Sequence, residues 1–495
     1  MQVSLTAPNS VQYLQPTGLF INNEFVASKS GQTLSTIDPA TEKEITTVHA
    51  AGADDIDIAV AAARSALKHP SWRKLPGTAR GKLMLRLADL IEENANILAT
   101  IETWDNGKPY QQAVAFDIRA AADAFRYYAG WADKVQGSVI ETTPEKLAYT
   151  IREPVGVCGQ IIPWNFPLVM AAWKLGPALA CGNTVVLKPA EQTPLSALYL
   201  ATLIKQAGFP PGVVNVVNGL GRVAGATIAS HLGVDKIAFT GSTQTAREIM
   251  KLAAINLKSV TLEAGGKSPL LVFPDADFDS AVTWAHIGVM YNQGQVCTAT
   301  SRILVHEDIY DKFVESFKQK VATVSTLGDP FKDVTFQGPQ VTKAQFDRVL
   351  SYIEAGKSEG ATLIHGGTAY KDFNGKGFFV EPTIFTNVTD DMKVYREEVF
   401  GPFAVVSSFK SEEEAVRRAN DSVFGLGASV FTKDVKRAHR VAADIEAGMV
   451  WINSSNDSDF RIPFGGVKQS GIGRELGEAG LEAYTNIKAV HVNLQ

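Results

Sequence analysis

Apolar and polar positions alternate along the chain with two different periods, and each period predicts a different kind of element. Between residues 55 and 130, apolar positions recur three and four residues apart, which predicts amphipathic helices. From about 155 to 262, short β-branched runs alternate with amphipathic stretches, which is typical of parallel βαβ units. The strands predicted there are 155–162, 184–188, 213–217 and 236–240.

A second alternating region, from about 270 to 450, predicts another α/β unit. Its predicted elements include a strand at 301–305 and a helix at 309–324. Two flanking segments, about 137–152 and 483–494, alternate in or near period two and predict extended ribbons. Because a lone strand seeks a partner edge, we expect these ribbons to mediate contacts between subunits.

Length and charge exclude several classes of protein. With 495 residues, 45% of them hydrophobic, the chain can bury more than one core and is expected to form two to four domains or subdomains. The net charge of −5 provides no basic surplus for a nucleic acid or an anionic membrane, and no apolar stretch approaches the ~20 residues that span a bilayer. We therefore expect neither nucleic acid nor membrane as a partner.

The three cysteines are spaced too widely for a Cys-x-x-Cys motif, and no metal site is predicted. So few cysteines fit a reducing compartment, and the first residues lack the pattern of a targeting peptide, so we expect a cytoplasmic protein. Cys158 stands in a β-branched run and Cys181 beside small residues. Both are therefore expected to be structural.

The third cysteine, Cys297, has different neighbours. It lies in a polar, Gly-containing segment, 291–300, between a predicted helix and a predicted strand, so we expect it in a loop. A lone cysteine is more often a small core residue, but Gln293, Gln295 and Thr298 are poor core formers. Backbone amides in such a turn lower the pKa of a thiol. Cys297 is therefore our candidate nucleophile.

Two polar residues at strand ends are candidate partners for that thiol. Glu263 ends a predicted strand just before a Gly pair, where a carboxylate can act as a general base and the glycines leave room for a substrate or cofactor. Asn165 stands between two prolines after a buried strand, and such rigid placement suits an oxyanion donor. The alternatives are a solvated strand-end glutamate and an ordinary turn asparagine.

Three loops after predicted strands have the composition of nucleotide-binding loops. Gly241 and Ser242 open a helix, so backbone N–H groups and the Ser242 hydroxyl would face a pyrophosphate. The spacing Gly-x-Gly-x-x-x-Gly at 219–225 misses the standard dinucleotide fingerprint by one residue. Lys188 and Glu191 could bind a ribose diol, with a surface ion pair as the alternative. A fourth segment, 396–403, is by itself typical of a solvated helix end.

With these motifs in this order, the chain resembles the aldehyde dehydrogenase superfamily, and most closely its tetrameric branch that oxidises free aldehydes with NAD. The resemblance runs from Leu19 to the last predicted strand without a large insertion. It implies an α/β fold and a homotetramer, built as a dimer of dimers. The implied parts are a Rossmann-like NAD-binding domain (1–136 and 154–263), a second α/β catalytic domain (264–480) and a small β oligomerisation arm (137–153 and 481–495).

The resemblance also implies roles for the candidate residues. Cys297 corresponds to the nucleophile, Glu263 to the base that activates the deacylating water, and Asn165, with the Cys297 N–H, to the oxyanion hole. Lys174 and Glu475 correspond to a proton relay behind Glu263. The residues that correspond to NAD contacts are Ile161, Pro163, Trp164, Lys188, Glu191, Gly221, Gly225, Gly241, Ser242, Glu398 and Phe400.

The implied reaction is the irreversible oxidation of a small-molecule aldehyde to an acid. Thiolate attack forms a thiohemiacetal, hydride passes to NAD, and water hydrolyses the remaining thioester. The residues that correspond to the substrate tunnel are Phe166, Val169, Met170, Trp173, Tyr291, Val296, Thr298, Asp457, Asp459 and Phe464.

The segment 453–460 matches the tunnel entrance and is polar and acidic, whereas many relatives carry apolar or aromatic residues there. We therefore expect an aldehyde with an aromatic or medium apolar body and a polar or cationic end. Glu191 should favour NAD over NADP, because a carboxylate repels a 2′-phosphate.

Two other functions are weighed against this one. A relative that transfers its acyl group to coenzyme A is disfavoured by Glu263, because such enzymes often lack that base. A catalytically retired scaffold is disfavoured because Cys297, Glu263 and Asn165 are all retained.

Overall fold

The computed structural model of the chain describes residues 1–371, 373 and 375–495. The strands in chain order are β1 Gln2–Thr6, β2 Gln12–Pro16, β3 Leu19–Ile21, β4 Glu24–Val26, β5 Thr33–Ile37, β6 Glu44–His49, β7 Val139–Ile140, β8 Lys146–Pro154, β9 Val157–Ile161, β10 Thr184–Lys188, β11 Val214–Val216, β12 Lys236–Thr240, β13 Ser259–Glu263, β14 Pro269–Val272, β15 Arg302–His306, β16 Thr362–His365, β17 Thr383–Thr386, β18 Phe403–Phe409, β19 Phe424–Gly425, β20 Gly427–Phe431, β21 Met449–Ile452, β22 Val467–Lys468, β23 Gly471–Ile472 and β24 Thr485–Asn493.

The α-helices in chain order are α1 Ala53–Lys68, α2 Pro70–Arg73, α3 Gly77–Glu93, α4 Ala95–Asn106, α5 Tyr110–Gln112, α6 Arg119–Trp131, α7 Pro167–Ala180, α8 Leu195–Ala207, α9 Ala226–Ser230, α10 Thr243–Ala253, α11 Phe278–Met290, α12 Tyr310–Val324, α13 Lys343–Ser358, α14 Lys393–Arg396, α15 Glu412–Asn420, α16 Val435–Asp444 and α17 Gly477–Glu482. Two segments, Ala113–Ile118 and Gly221–Gly225, are π-helical. None of the described helices is long and apolar enough to cross a bilayer.

The first large sheet contains the four strands predicted between residues 155 and 240. Its order is β23-β13-β12-β9-β10-β11-β3-β4, and the five strands from β13 to β11 are parallel. The chain starts this parallel group at β9, moves outward through β10 to β11, and then crosses to β12 and β13 on the other side. This is a doubly wound sheet with its switch point between β9 and β12. Ligands of such sheets bind outside the carboxyl ends of the strands at that point.

The observed strands differ from the predicted ones mainly at their ends. The prediction 155–162 becomes Val157–Ile161, because Gly156 adopts a φ of +135° and donates its N–H to the side chain of Asn183 rather than to a strand. The predicted strands 184–188 and 236–240 have the observed bounds. The helix predicted at 309–324 begins one residue later, after a 3₁₀ turn.

The second large sheet confirms the second α/β unit predicted from the alternation after residue 270. Its order is β16-β17-β18-β15-β14-β20-β21, and all neighbours are parallel except β16 and β17. Strand β14 follows β13 directly after the segment 264–268, so the Gly pair of that segment connects the two sheets. The fold class is therefore the predicted one.

The two predicted ribbons pair with each other. Strands β8 and β24 form an antiparallel ladder from Thr485 opposite Pro154 to Asn493 opposite Lys146, and β7 adds a third strand. Each ribbon thus finds its partner edge within the same chain. Their role in subunit contacts stays a prediction.

Candidate active site

A cleft of about 550 Å³ lies at the switch point of the first sheet. One wall is the loop from Pro163 to Phe166 after β9, and another is Thr240 to Gln244 after β12. Ser242 is the N-cap of α10 and accepts the N–H of Thr245 through its hydroxyl. The cleft therefore combines a sheet switch point with a helix N-terminus, both of which favour a phosphate-bearing ligand.

A second, mainly apolar cavity of about 560 Å³ lies on the other side of the same loop. The two cavities share Phe166, Met170 and Cys297. Cys297 is half-buried in a turn, as the sequence predicts. Its thiol therefore lines both cavities. A ligand in the cleft and a ligand in the apolar cavity could both reach the sulfur. A thiol placed between a nucleotide-type cleft and an apolar cavity is the arrangement expected of an enzyme that uses covalent catalysis.

The loop that carries Cys297 is held by a network of amide side chains. Asn292 and Gln293 adopt left-handed conformations, with φ of +48° and +57°. The Asn292 amide donates to the backbone oxygens of Asn165 and Gln295, at 3.1 and 3.3 Å, and the Asn165 amide also donates to the Gln295 oxygen, at 2.9 Å. The surroundings thereby hold a strained loop that places Cys297 close to Asn165.

The expected low pKa of the Cys297 thiol is not what the structure gives. Burial, reinforced by the charges of Glu263 and Glu398, raises the pKa of Cys297 to about 12. Backbone hydrogen bonds from Thr298 and from Cys297 itself act in the predicted direction but are outweighed. The sequence shows the backbone amides beside Cys297, but it does not show how far the thiol is desolvated. That desolvation depends on segments far away in the chain.

Glu263 ends β13 and is almost fully buried. Within the described residues, neither of its carboxyl oxygens has a hydrogen-bond partner. Burial, together with the negative charge of Glu475, raises its pKa well above the ordinary value. The solvated strand-end alternative is therefore wrong. A buried carboxyl with both oxygens unpartnered can bind a water or a reacting group.

The predicted relay residues lie beside Glu263. The Lys174 Nζ donates to Glu475 at 2.5 Å and to the Thr240 hydroxyl at 2.6 Å, and all three groups are buried. Thr240 is the direct neighbour of Glu263 across the parallel pair β12 and β13. Lys174 thus connects the Glu475 carboxylate to the strand residue next to the candidate base.

The Gly pair after β13 has a further role besides the predicted one. A Cβ at Gly265 would lie 2.3 Å from a carboxyl oxygen of Glu398, and one at Gly266 would lie 2.6 Å from the backbone oxygen of Cys297. The Gly266 N–H also donates to Glu398 at 2.9 Å. The glycines therefore make room for two parts of the protein itself, and Gly265 also lines the cleft, as the predicted role requires.

A second group of predicted residues gathers beside the first sheet, after β10. Lys188 is buried, and its Nζ donates to the Glu191 carboxylate at 3.2 Å. The same carboxylate also accepts the Gly221 N–H at 3.4 Å. A Cβ at Gly225 would meet the Lys188 side chain at 3.6 Å and Ile161 at 4.0 Å. Although burial raises the pKa of Glu191, Lys188 keeps it below its ordinary value. Glu191 is therefore an anion, and the surface ion-pair alternative is wrong because Lys188 is buried.

The segment 396–403, which resembles a solvated helix end when taken alone, forms part of the cleft. Glu398 and Phe400 both line it, and the Phe400 ring stands edge-on to Trp164 with centroids 5.2 Å apart. Burial raises the pKa of Glu398 to about 7. Gln345 and Arg348, which donate to the backbone oxygens of Phe400 and Glu398, were not predicted from the sequence.

The apolar cavity contains nine of the ten predicted tunnel residues. They are Phe166, Val169, Met170, Trp173, Tyr291, Val296, Thr298, Asp457 and Phe464. The prediction for Asp459 is not met: this residue lines a neighbouring hollow, and its carboxylate binds Arg461 at 2.6 Å. Three other lining residues, Ser455, Asn456 and Ser458, belong to the segment 453–460 that was predicted to form the tunnel entrance. Six lining residues were not predicted from the sequence: Gln111, Gln112, Ala115, Phe116, Trp284 and Ile287.

No metal site emerges from the part of the chain that the structure describes. No group of three or more His, Cys, Asp or Glu side chains is placed there so as to hold an ion.

Comparisons with known proteins agree with the fold. Residues 25–490 match the model of the Aldehyde dehydrogenase family. The chain is 55% identical over 493 residues to an aldehyde dehydrogenase of Davidiella tassiana, covering 99% of this chain and 98% of the relative. It is 51% identical over 492 residues to retinal dehydrogenase 2 of Homo sapiens, covering 99% and 94%.

A solved structure gives the same result in three dimensions. The NAD⁺ complex of an aldehyde dehydrogenase from Bacillus cereus has a TM-score of 0.95 and 51% identity with this chain, covering 97% of each. The chain belongs to the aldehyde dehydrogenase family.

Proposed function

We propose that this protein oxidises free aldehydes to carboxylic acids with NAD, through a covalent thioester on Cys297. The observation that carries the proposal is the position of Cys297 at the junction of the cleft and the apolar cavity. The NAD⁺ complex of the Bacillus cereus relative supports the choice of cofactor. A direct test is the absorbance of NADH formed from a generic aldehyde, and an absence of aldehyde-dependent NADH would refute the proposal.

The described residues fit such a dinucleotide. The Lys188 and Glu191 group would hold the adenine ribose, and the N-terminus of α10 at Ser242 would face the pyrophosphate. Glu398 and Phe400 would hold the nicotinamide ribose and ring near Cys297. NAD bound in this way supplies an acceptor for the hydride that leaves the substrate carbon.

Acylation depends on the thiol and the oxyanion donors. The Cys297 thiol first loses its proton to solvent water, and the resulting thiolate adds to the aldehyde carbonyl and forms a thiohemiacetal, whose negative oxygen needs hydrogen-bond donors. The Asn165 amide has two N–H groups and uses one for the Gln295 oxygen, so the other can serve the oxyanion beside the Cys297 N–H. Loss of hydride from the carbon then leaves a thioester.

Deacylation depends on Glu263. Its carboxylate accepts a proton from water while the resulting hydroxide adds to the thioester carbonyl, and collapse of the adduct expels the Cys297 thiolate and releases the acid. The proton then passes from Glu263 towards Lys174 and Glu475, which form a buried ion pair beside it. Coenzyme A would not be needed, because Glu263 supplies the base for water.

Asn165→Ala tests the oxyanion donor. The loss of one such donor typically raises a barrier by ~2.7 to 4 kcal/mol, so we expect kcat to fall by about 100- to 1,000-fold in both acylation and deacylation. Burst and steady-state kinetics of NADH formation measure the two phases separately. Because Asn165 also anchors the Gln295 oxygen, Asn165→Asp is a matched variant that keeps the size but replaces the N–H donor with a carboxylate. Near-normal turnover in both variants would contradict the role.

Glu191 provides a test of cofactor choice. The wild-type protein should favour NAD over NADP, because the Glu191 carboxylate repels a 2′-phosphate. Glu191→Gln should lower the ratio of catalytic efficiencies, NAD over NADP, by about tenfold or more, since like charges in contact cost several kcal/mol. Glu248→Gln, at an exposed carboxylate of α10, is the control and should leave the ratio unchanged. A wild-type ratio that favours NADP would refute the assignment.

The proposal extends to the organisation of the protein. Residues 1–136 and 154–263 would form the NAD-binding domain, 264–480 the catalytic domain, and 137–153 with 481–495 the oligomerisation arm of a homotetramer. The three-stranded sheet of β24, β8 and β7 supports the arm, because it joins the two segments assigned to it. The three free cysteines support a cytoplasmic location, since a reducing compartment keeps thiols in that state.

A further inference from the structure

The apolar cavity is lined by buried or half-buried aromatic residues and by polar residues, of which Gln111, Asp457 and Ser458 are exposed to solvent and define its polar end. Its inner wall is aromatic: Phe166 and Tyr291 stack with centroids 6.5 Å apart, Phe116 stands edge-on to both, and Trp173 stands edge-on to Phe464 at 5.0 Å. Rings arranged in this way pack well against a flat, apolar body, and their faces also attract cations. The polar residues of the lining are Gln111, Gln112, Ser455, Asn456, Asp457 and Ser458.

The charges at this polar end do not cancel. In the adjoining hollow, Arg461 binds Asp459 at 2.6 Å and Arg119 faces Asp123 at 3.7 Å, so these two pairs contribute no net charge. Asp457 lines the cavity itself, and no described residue forms an ion pair with it. The cavity therefore has one uncompensated negative charge at its polar end.

Asp457 is held in place by its backbone rather than by its carboxylate. The Trp451 indole N–H donates to the Asp457 backbone oxygen at 2.9 Å, and the neighbouring Asn456 side chain donates to the Gly288 oxygen at 3.0 Å. These bonds fix the segment on α11 and β21 and leave the exposed carboxylate to interact with a ligand. A carboxylate held in this way can discriminate between ligands by their charge.

From these features, and resting on the function proposed above, we propose that the substrate is an aldehyde with a flat aromatic body and a cationic group at the end remote from the carbonyl. The carbonyl would reach Cys297, the aromatic body would lie among the rings, and the cation would face Asp457. The cavity of about 560 Å³ is within the usual range for a ligand of this size.

A matched panel of aldehydes tests this substrate class. Benzaldehyde, phenylacetaldehyde and 3-phenylpropanal provide three body lengths, each prepared unsubstituted, with a para-aminomethyl group and with a para-carboxyl group. For at least one body length, we expect kcat/KM to be highest for the cationic aldehyde, lower for the neutral one and lowest for the anionic one. Each step should be about two- to fivefold, as for an exposed ion pair. The ranking should weaken at high salt. Octanal is included as an unbranched aliphatic aldehyde for comparison with the aromatic ones.

Two variants separate Asp457 from its surroundings. Asp457→Asn should remove most of the ranking by charge, measured as the ratio of kcat/KM for the cationic and the anionic aldehyde of the same length. The double variant Arg119→Gln with Asp123→Asn removes a neutral pair from the adjoining hollow and should keep the wild-type ranking.

Three results would overturn the substrate class: equal efficiencies across the charges, octanal preferred to every aromatic aldehyde, or a ranking unchanged in Asp457→Asn. In each of these cases the protein still oxidises aldehydes, so the proposed function survives. If no aldehyde of the panel is oxidised with NAD, both proposals fail.

Discussion

Replacing Cys297 by serine is expected to lower dehydrogenase turnover by on the order of 1,000-fold or more while NAD still binds. Loss of the nucleophile in other covalent enzymes costs up to about 10⁶-fold, and a serine hydroxyl ionises far less readily than a thiol. NAD binding should survive because the Lys188 and Glu191 group and Ser242 lie outside the altered side chain. NADH formation measures the first effect and calorimetric titration with NAD the second.

Cys181→Ser is the matched control for this experiment. Cys181 is buried, lies outside both cavities and donates its thiol to the Leu481 oxygen at 3.6 Å, a bond that a serine hydroxyl can replace. We expect this variant to keep most of its activity. Near-normal turnover in Cys297→Ser would overturn the covalent mechanism, and equal losses in both variants would point to a general effect of removing a thiol.

Features near strand ends were predicted well from the sequence. Asn165 after β9, Lys188 at the end of β10, Ser242 after β12 and Glu263 at the end of β13 all stand at or just after the carboxyl ends of parallel strands. Parallel strands place these ends along one edge of the sheet, so residues far apart in the chain are brought together by the topology alone. The βαβ pattern was therefore sufficient to indicate the nucleotide cleft.

The residues that line the apolar cavity were predicted only in part, although their spacing along two helices is visible in the sequence. Residues 166, 169, 170 and 173 share one face of α7, and residues 284, 287 and 291 recur at the same kind of spacing along α11 and just beyond it. The same spacing also describes an ordinary core-facing helix. Which buried face lines a cavity depends on tertiary packing, so Trp284, Ile287 and Phe116 could not be singled out.

Electrostatics was the least predictable property. The pKa of Cys297 was expected to be low from its local amides, but burial raises it to about 12. The segment around Glu398, taken alone, is typical of a solvated helix end, but burial raises the pKa of Glu398 to about 7. In both cases the decisive quantity is desolvation, which arises when α13, β13 and the loop after α14 come together. No short segment of the sequence shows how strongly these two side chains are desolvated.

Glu263→Gln should separate the two halves of the reaction. We expect the variant to retain the initial burst of NADH while its steady turnover falls by about 10²- to 10⁴-fold, the usual contribution of a general base. The amide keeps the size of the carboxyl but cannot accept the proton of the hydrolytic water. Rapid-mixing absorbance measures the burst, and mass spectrometry of the quenched protein should detect the acyl group retained on Cys297.

The pH dependence provides an independent test of the same residue. Burial, reinforced by the charge of Glu475, raises the pKa of Glu263 well above its ordinary value, so the pH at which the group becomes a base is shifted upwards. Steady turnover of the wild-type protein should therefore increase as pH rises through that elevated pKa. Glu263→Gln should lose this increase, and Glu478→Gln, at a helix-end carboxylate outside both cavities, should keep it. An unchanged steady rate in Glu263→Gln, or a pH profile identical to that of the wild type, would show that another group activates the water.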